Sequence, residues 1–219
     1  MTKRLAIALT TAMTGATMAA TPAHATAFGI KAVVIQVATT NWLQVAEVQA
    51  LNTIGTNVAA TANGGVATSS GQYSGTGYLV RSGAGNTING TIGGNYFSGT
   101  ASQWIFHSDS TSTSEFLKIT FASVQDLQSL SIYGRTDCCA TRDVYKITLL
   151  DASNGVVATF NNQSANNAAH RAALTFSSTY GVPPIPEPAT WMNLMAGFGA
   201  LGSFLRRPNR KIAMRCRFA

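Results

Sequence analysis

The sequence predicts an all-β protein whose central part is an antiparallel β-sandwich. The runs KAVVIQVA, FLKITFA, LQSLSIYGR, VYKITLLDA and VVATFN are short, β-branched and separated by turn signals such as Ala152-Ser153-Asn154-Gly155. VYKITLLDASNGVVATF reads as a hairpin with Asn154-Gly155 at its tip. The third observation is an absence: between residues 26 and 181 no long amphipathic helical pattern occurs, and Ser, Thr, Gly, Asn and Val dominate. Those 156 residues suffice for one domain with its own core.

Residues 1–25 read as a signal peptide. Lys3 and Arg4 precede an apolar run from Leu5 to about Ala20, and Ala23-His24-Ala25 fits a small-x-small site cleaved between Ala25 and Thr26. The run is threonine-rich and shorter than the ~20 apolar residues a membrane span needs. Within the body, Asn52 to Gly77 and Ser82 to Thr100 are polar and glycine-rich and read as loops, and no internal repeat stands out.

Beyond the body, residues 182–188 form a proline-rich linker. Prolines 183, 184, 186 and 188 keep it extended and short of backbone donors, which suits a peptide lying in an enzyme's cleft. Residues 189–205 are uncharged and would make ~25 Å of helix, at the short end of a transmembrane span. Trp191 sits at an interfacial position, and Arg206 and Arg207 open a basic tail, 206–219, that would stay cytoplasmic. Pro186-Glu187-Pro188, Trp191, the glycine-studded apolar segment and the two arginines resemble the PEP-CTERM sorting signal of Gram-negative bacteria. That resemblance implies a transient inner-membrane anchor, recognition by an exosortase-type processing enzyme, and release to the cell surface or matrix of an organism that makes extracellular polysaccharide. The tail PNRKIAMRCRFA runs longer than the usual pattern, and an ordinary single-span anchor is the alternative.

These ends also account for the charge. Of 15 Lys and Arg, two lie in the signal and six follow the span, leaving seven against eight acids. The basic excess concerns membrane topology, so nucleic acid is not expected as a partner.

WLQVAEVQAL, NVAATANGGVATSSG and the stretch from Glu115 to Phe160 resemble a discoidin-type, galactose-binding-like jelly roll. Within that superfamily, Arg135-x-Asp137-Cys138-Cys139-x-x-Arg142 resembles the F-type lectins, fucose-binding proteins whose signature joins a histidine to R-x-D-x4-R around a Cys-Cys pair. The resemblance implies that Arg135 and Arg142 bind sugar hydroxyls and ring oxygen, with Asp137 supporting both. The chemistry is apt: a guanidinium fork presents donors at fixed angles, and on a strand Asp137 would face the same way as Arg135 and hold both arginines. His107 is the candidate histidine, although it lies 28 positions before Arg135 where the lectin spacing of 25 would select Ser110. The lectins also bind a structural calcium through an Asp-Gly step, for which Asn89-Gly90 is the nearest match; Asn89 keeps the oxygen and loses the charge. No other cofactor is expected.

Cys138 and Cys139 are adjacent, so a bond between them would close a strained eight-membered ring with an apolar sulfur face. Cys216 lies past the span, which leaves these two to pair with each other in the exported chain; free thiols or an intermolecular bridge remain alternatives. In the lectins that sulfur face packs against ligand. GxSxG and HExxH are both absent, and the eight acids form no evident close pair, so catalysis is not expected. Two functions stay open: a carbohydrate-binding module for extracellular polysaccharide, and a structural matrix protein in which Arg-Asp-Arg is only a brace.

Overall fold

Period-two alternation organises the chain around two long strands. In this computed structural model, which describes residues 26–176 and 179–181 of the 219, β1 (Ala27–Val37) buries Ile30, Val33, Ile35 and Val37. β6 (Phe116–Tyr133) buries Leu117, Ile119 and Phe121, then Leu127, Leu130 and Ile132. The two pair antiparallel, Gln36 opposite Phe116 and Ala27 opposite Leu127, with a bulge near Gly29, whose φ of +71° a side chain would resist. β6 is continuous where the sequence shows two runs, because Gln125 in the polar stretch between them still pairs with Ile30.

β7 (Val144–Leu150) lies on the other side of β1, with Tyr145 opposite Val37, and β8 (Val156–Ser164) returns along it. Their hairpin turns as the sequence predicts: Asp151 Oδ1 accepts the Ser153 and Gly155 N–H groups at 2.8 Å each, and Asn154 takes φ +64°. β3 (Glu47–Asn52) and β9 (Arg171–Thr175) flank the Leu127–Tyr133 part of β6, and β4 (Val66–Ser69) pairs with its beginning. β2 (Trp42–Val45) and β5 (Phe106–Thr111) form a separate two-stranded sheet. The fold is all-β, with helix among the described residues confined to short 3-10 turns. β4 departs from the loop that the sequence predicts over 52–77. Its four residues are exposed or half-buried and show no hydrophobic alternation, and pairing to Leu117–Thr120 is what makes them a strand.

One main apolar core unites these strands, and Tyr145 closes it by donating its buried hydroxyl to the Gln44 carbonyl at 2.7 Å. The ends of β1 differ. At Ala27 the two described chain ends meet, Phe28 N–H donating to Tyr180 O at 2.8 Å and Tyr180 N–H to Thr26 O at 3.1 Å. At Val37 the neighbour is the start of β7, where Ala38 N–H donates to Val144 O at 2.8 Å. The expected signal peptide, proline-rich linker, membrane span and basic tail, with Ala25, Pro186, Glu187, Pro188, Trp191, Arg206, Arg207 and Cys216, lie outside the described residues. Among the described residues no helix is long and apolar enough to cross a membrane.

Candidate functional site

The loop 134–143 builds the site from below. Gly134 donates its N–H to His170 O at 2.8 Å as the chain leaves β6, and Arg135 N–H then donates to Asp143 Oδ2 at 2.7 Å. Asp143, fully buried, thereby ties the beginning of the loop to its end. Gly134 is required by space: a Cβ there would lie 2.3 Å from Asp143 Oδ2. Burial pushes the Asp143 carboxyl up to about 7, against the pull of the Arg135 N–H and the Arg135 charge.

Arg135, 2% exposed, lies over two rings, its guanidinium carbon 4.3 Å from the Phe97 centroid and 4.8 Å from that of Tyr96. Its Nε donates to Asp137 Oδ1, and its buried Nη2 has no hydrogen-bond partner among the described residues. Asp137 accepts the Phe97 N–H at 2.8 Å on its other oxygen. Burial alone would raise the Asp137 carboxyl, but the Arg135 hydrogen bond, the Phe97 N–H and the Arg135 charge hold it below the usual carboxylate range. Asp137 therefore joins Arg135 to the 94–97 loop; it forms no bond to Arg142. The expected bridge between both guanidinium groups is absent: the segment is a loop rather than a strand, and the two Asp137 oxygens meet Arg135 Nε and the Phe97 N–H. A second tie, Thr136 N–H to Gly94 O at 2.9 Å, fixes the same pair of loops.

Cys138 and Cys139 are disulfide-bonded to each other across a Cα separation of 3.8 Å, and Cys139 takes φ +63°. Arg142 follows at the end of the 3-10 turn Ala140–Arg142, half-buried, its side chain without a hydrogen bond or ion pair among the described residues.

His107 comes from β5, opposite Gln44 of β2. Its ring stands 5.0 Å from Trp42, 5.3 Å from Tyr73 and 5.3 Å from Tyr96. Nδ1 lies 2.9 Å from the Ser108 carbonyl, which only accepts, so Nδ1 carries the proton and Nε2 is left as an acceptor. Burial, followed by the charges of Arg135 and Arg142, depresses the His107 pKa, while the Ser108 bond opposes the shift; the ring is neutral at physiological pH.

These pieces surround one cleft of about 360 Å³, lined by His107, Arg135, Arg142 and both cysteines, with Trp42, Tyr73, Tyr78, Tyr96 and Phe97 as walls. It offers the neutral His107 ring, two cationic donors and aromatic faces. Ser110, the position that the lectin spacing selects, lies outside it and donates its hydroxyl to Glu115 Oε1 at 2.6 Å. The aromatic walls were not foreseen. They come mostly from loop sequences, GQYSGTGY and GGNYFSG, whose signal is large aromatics where a polar loop has nothing obvious to bury.

Asn89 stands apart from the cleft. Its Oδ1 accepts the Thr91 N–H at 2.8 Å and its amide donates to Ser102 O at 3.2 Å, so this oxygen closes its own turn. The carboxyl at the loop is Glu47, a residue not singled out from the sequence. Fully buried, it accepts the Gly90 N–H on Oε1 at 3.2 Å, while Oε2 has no partner among the described residues. Burial pushes its carboxyl up to about 8 against the Gly90 and Asn89 N–H groups. Among the described residues no group of three His, Cys, Asp or Glu is placed to hold a metal ion.

Comparison with protein-family models, with curated proteins and with solved structures finds no match for this chain.

Proposed function

We propose that the body of this chain is a non-catalytic carbohydrate-binding module, exported and sorted to the surface or matrix of a Gram-negative bacterium, where it engages extracellular polysaccharide. The observation that carries the reading is the convergence of His107, Arg135 and Arg142 on one aromatic cleft, with the Cys138–Cys139 bond in its wall. A sugar ring presents hydroxyls that both donate and accept, and C–H faces that are apolar. His107 Nε2 accepts from a hydroxyl; Arg135 Nη2 and the Arg142 guanidinium donate to hydroxyl or ring oxygen. The rings and the disulfide cover the C–H face, where stacking adds to hydrogen bonding. The reading takes up the F-type-lectin resemblance and, for the strands, a discoidin-like jelly roll. The ends read as a cleaved signal peptide and a PEP-CTERM segment, transiently anchored and then processed by an exosortase.

A structural calcium belongs to the same reading. Glu47, through its unpartnered Oε2, would hold the ion once its carboxyl is ionised, in place of the Asn89 side chain. A second reading, a structural matrix protein without a sugar pocket, is favoured by one observation: the Arg135–Asp137 ion pair is itself a brace between loops. A glycan array probed with the full-length chain separates them. Binding lost in Arg142→Gln with an unchanged melting curve supports the lectin reading; a wild-type chain that binds no glycan supports the brace.

A further inference from the structure

The cleft holds more positive charge than it neutralises. Arg135 and Arg142 line it, and among the described residues no carboxylate does. Asp137 is committed to Arg135 Nε and the Phe97 N–H. Asp143 lies beneath, fully buried and turned to the Arg135 main chain, with a carboxyl raised to about 7. Asp109, two residues along β5 from His107, is exposed and does not line the cleft. Arg81 adds a third cation behind the wall: it lies 5.6 Å from the Tyr78 and Trp104 centroids and donates to the Tyr96 and Phe97 carbonyls.

A hydroxyl satisfies a guanidinium's geometry and leaves its charge uncompensated. An oxyanion satisfies both, and a charge-assisted bond is roughly twice as strong as a neutral one. Arg135 Nη2 is buried without a partner, and Arg142, free of any ion pair among the described residues, is close enough for both charges to bear on His107. The surrounding aromatic rings lower the local dielectric, so the attraction is screened less than at an open surface.

We infer that the cleft selects an acidic sugar, one whose ring carries a carboxylate or a sulfate ester. The oxyanion lies between Arg135 Nη2 and the Arg142 guanidinium, and a ring hydroxyl donates to His107 Nε2. The inference rests on the reading of the cleft as a sugar site and differs from the neutral fucose that the lectin resemblance implies.

Calorimetric titration of the full-length chain with matched pairs tests it: D-galacturonate against D-galactose and D-glucuronate against D-glucose, with D-galactose 6-sulfate as the sulfate arm. At low ionic strength, an acidic member should bind at least tenfold more tightly than its neutral partner. That ratio should fall with added salt yet stay above one at about 0.5 M, because a partly buried pair is screened less than an exposed one. Arg142→Gln should weaken binding of every sugar, and of the acidic members most, while leaving the melting curve in place. Uronate ahead of sulfate assigns the carboxylate, and the reverse assigns the sulfate ester. Neutral members binding as tightly as acidic ones, or more tightly, overturn the acidic specificity and leave the sugar site standing. If none of the five sugars binds, the acidic specificity falls, and the glycan array decides the sugar reading.

Discussion

The two ends of β1 are made of the same strand and do different work. At Ala27 the strand meets Tyr180, and the described chain ends leave together through ordinary backbone hydrogen bonds. At Val37, ten residues and roughly 33 Å of extended chain away, it meets Tyr145 and the start of β7, beside Asp143 and Arg142. Between the ends the strand turns Val33 and Ile35 inward, while half-buried Lys31 and Gln36 donate to the Phe121, Ala122 and Thr113 carbonyls, so this stretch serves the fold. The difference teaches that stability resides along the strand, whereas the proposed recognition belongs to loops that begin where the strands stop. Substitutions should therefore sort by position: those between the ends unfold the protein, and those at the Val37 end change what it binds.

The largest effect belongs to the middle of the strand. Ile35 is fully buried in the main core, and Ile35→Ala should cost about 2–5 kcal/mol by removing methyl groups from a site that closes only partly. Chemical denaturation measures it directly; a loss below about 1 kcal/mol would break the division of labour.

Next is the pH dependence beneath the cleft. The folded state raises the Asp143 carboxyl to about 7 from an unfolded value near 3.8, so it binds this proton more tightly than the unfolded chain does. Its contribution to stability is complete below about pH 3.8 and is lost as pH rises toward 7. The melting temperature should accordingly fall over that window and level off above it as far as Asp143 is concerned. Glu47 acts in the same direction up to about 8, so Asp143→Asn, which fixes the neutral form, isolates the effect. In that variant the slope between pH 4 and 7 should flatten, and a slope equal to wild type would show that Asp143 is not the group titrating.

A smaller effect is expected at the metal candidate. If Glu47 holds calcium, millimolar calcium should raise the wild-type melting temperature by a few degrees and leave Glu47→Gln unmoved, since a ligand that binds only the folded state stabilises it by mass action. Equal responses would remove Glu47 from the role.

Smallest of all in stability is Arg142. Half-buried and without an ion pair among the described residues, it should tolerate Arg142→Gln within about 0.5 kcal/mol by melting or denaturation. Arg135 is the contrast: fully buried, paired with Asp137 and stacked on two rings, Arg135→Ala should cost stability as well as binding.

What the sequence made legible follows from range. The runs KAVVIQVA and VYKITLLDA became β1 and β7 because alternation is a local property, and Asn154-Gly155 fixed its hairpin for the same reason. The arginine and cysteine cluster was visible because all its members lie within eight residues of one another. The walls were not. Tyr73, Tyr78, Tyr96 and Phe97 sit in segments without periodicity, and their placement depends on distant ties such as Phe97 to Asp137 and Gly94 to Thr136. Asp143 and Glu47 were hidden differently: each reads as an ordinary charged residue until burial shows that it supports a loop. The two-handed role expected of Asp137 assumed a strand, and the loop gave its second oxygen to Phe97 instead.

The central claim, that loops at the Val37 end of β1 form a sugar site independent of the core, is tested most directly by one paired measurement. The full-length wild type and Arg142→Gln are compared on the same glycan array, with melting curves recorded on the same preparations. The account predicts glycan binding by the wild type, its loss in the variant, and melting curves that superimpose. Wild-type binding that survives unchanged in Arg142→Gln, or a wild type that binds no glycan at all, would contradict it.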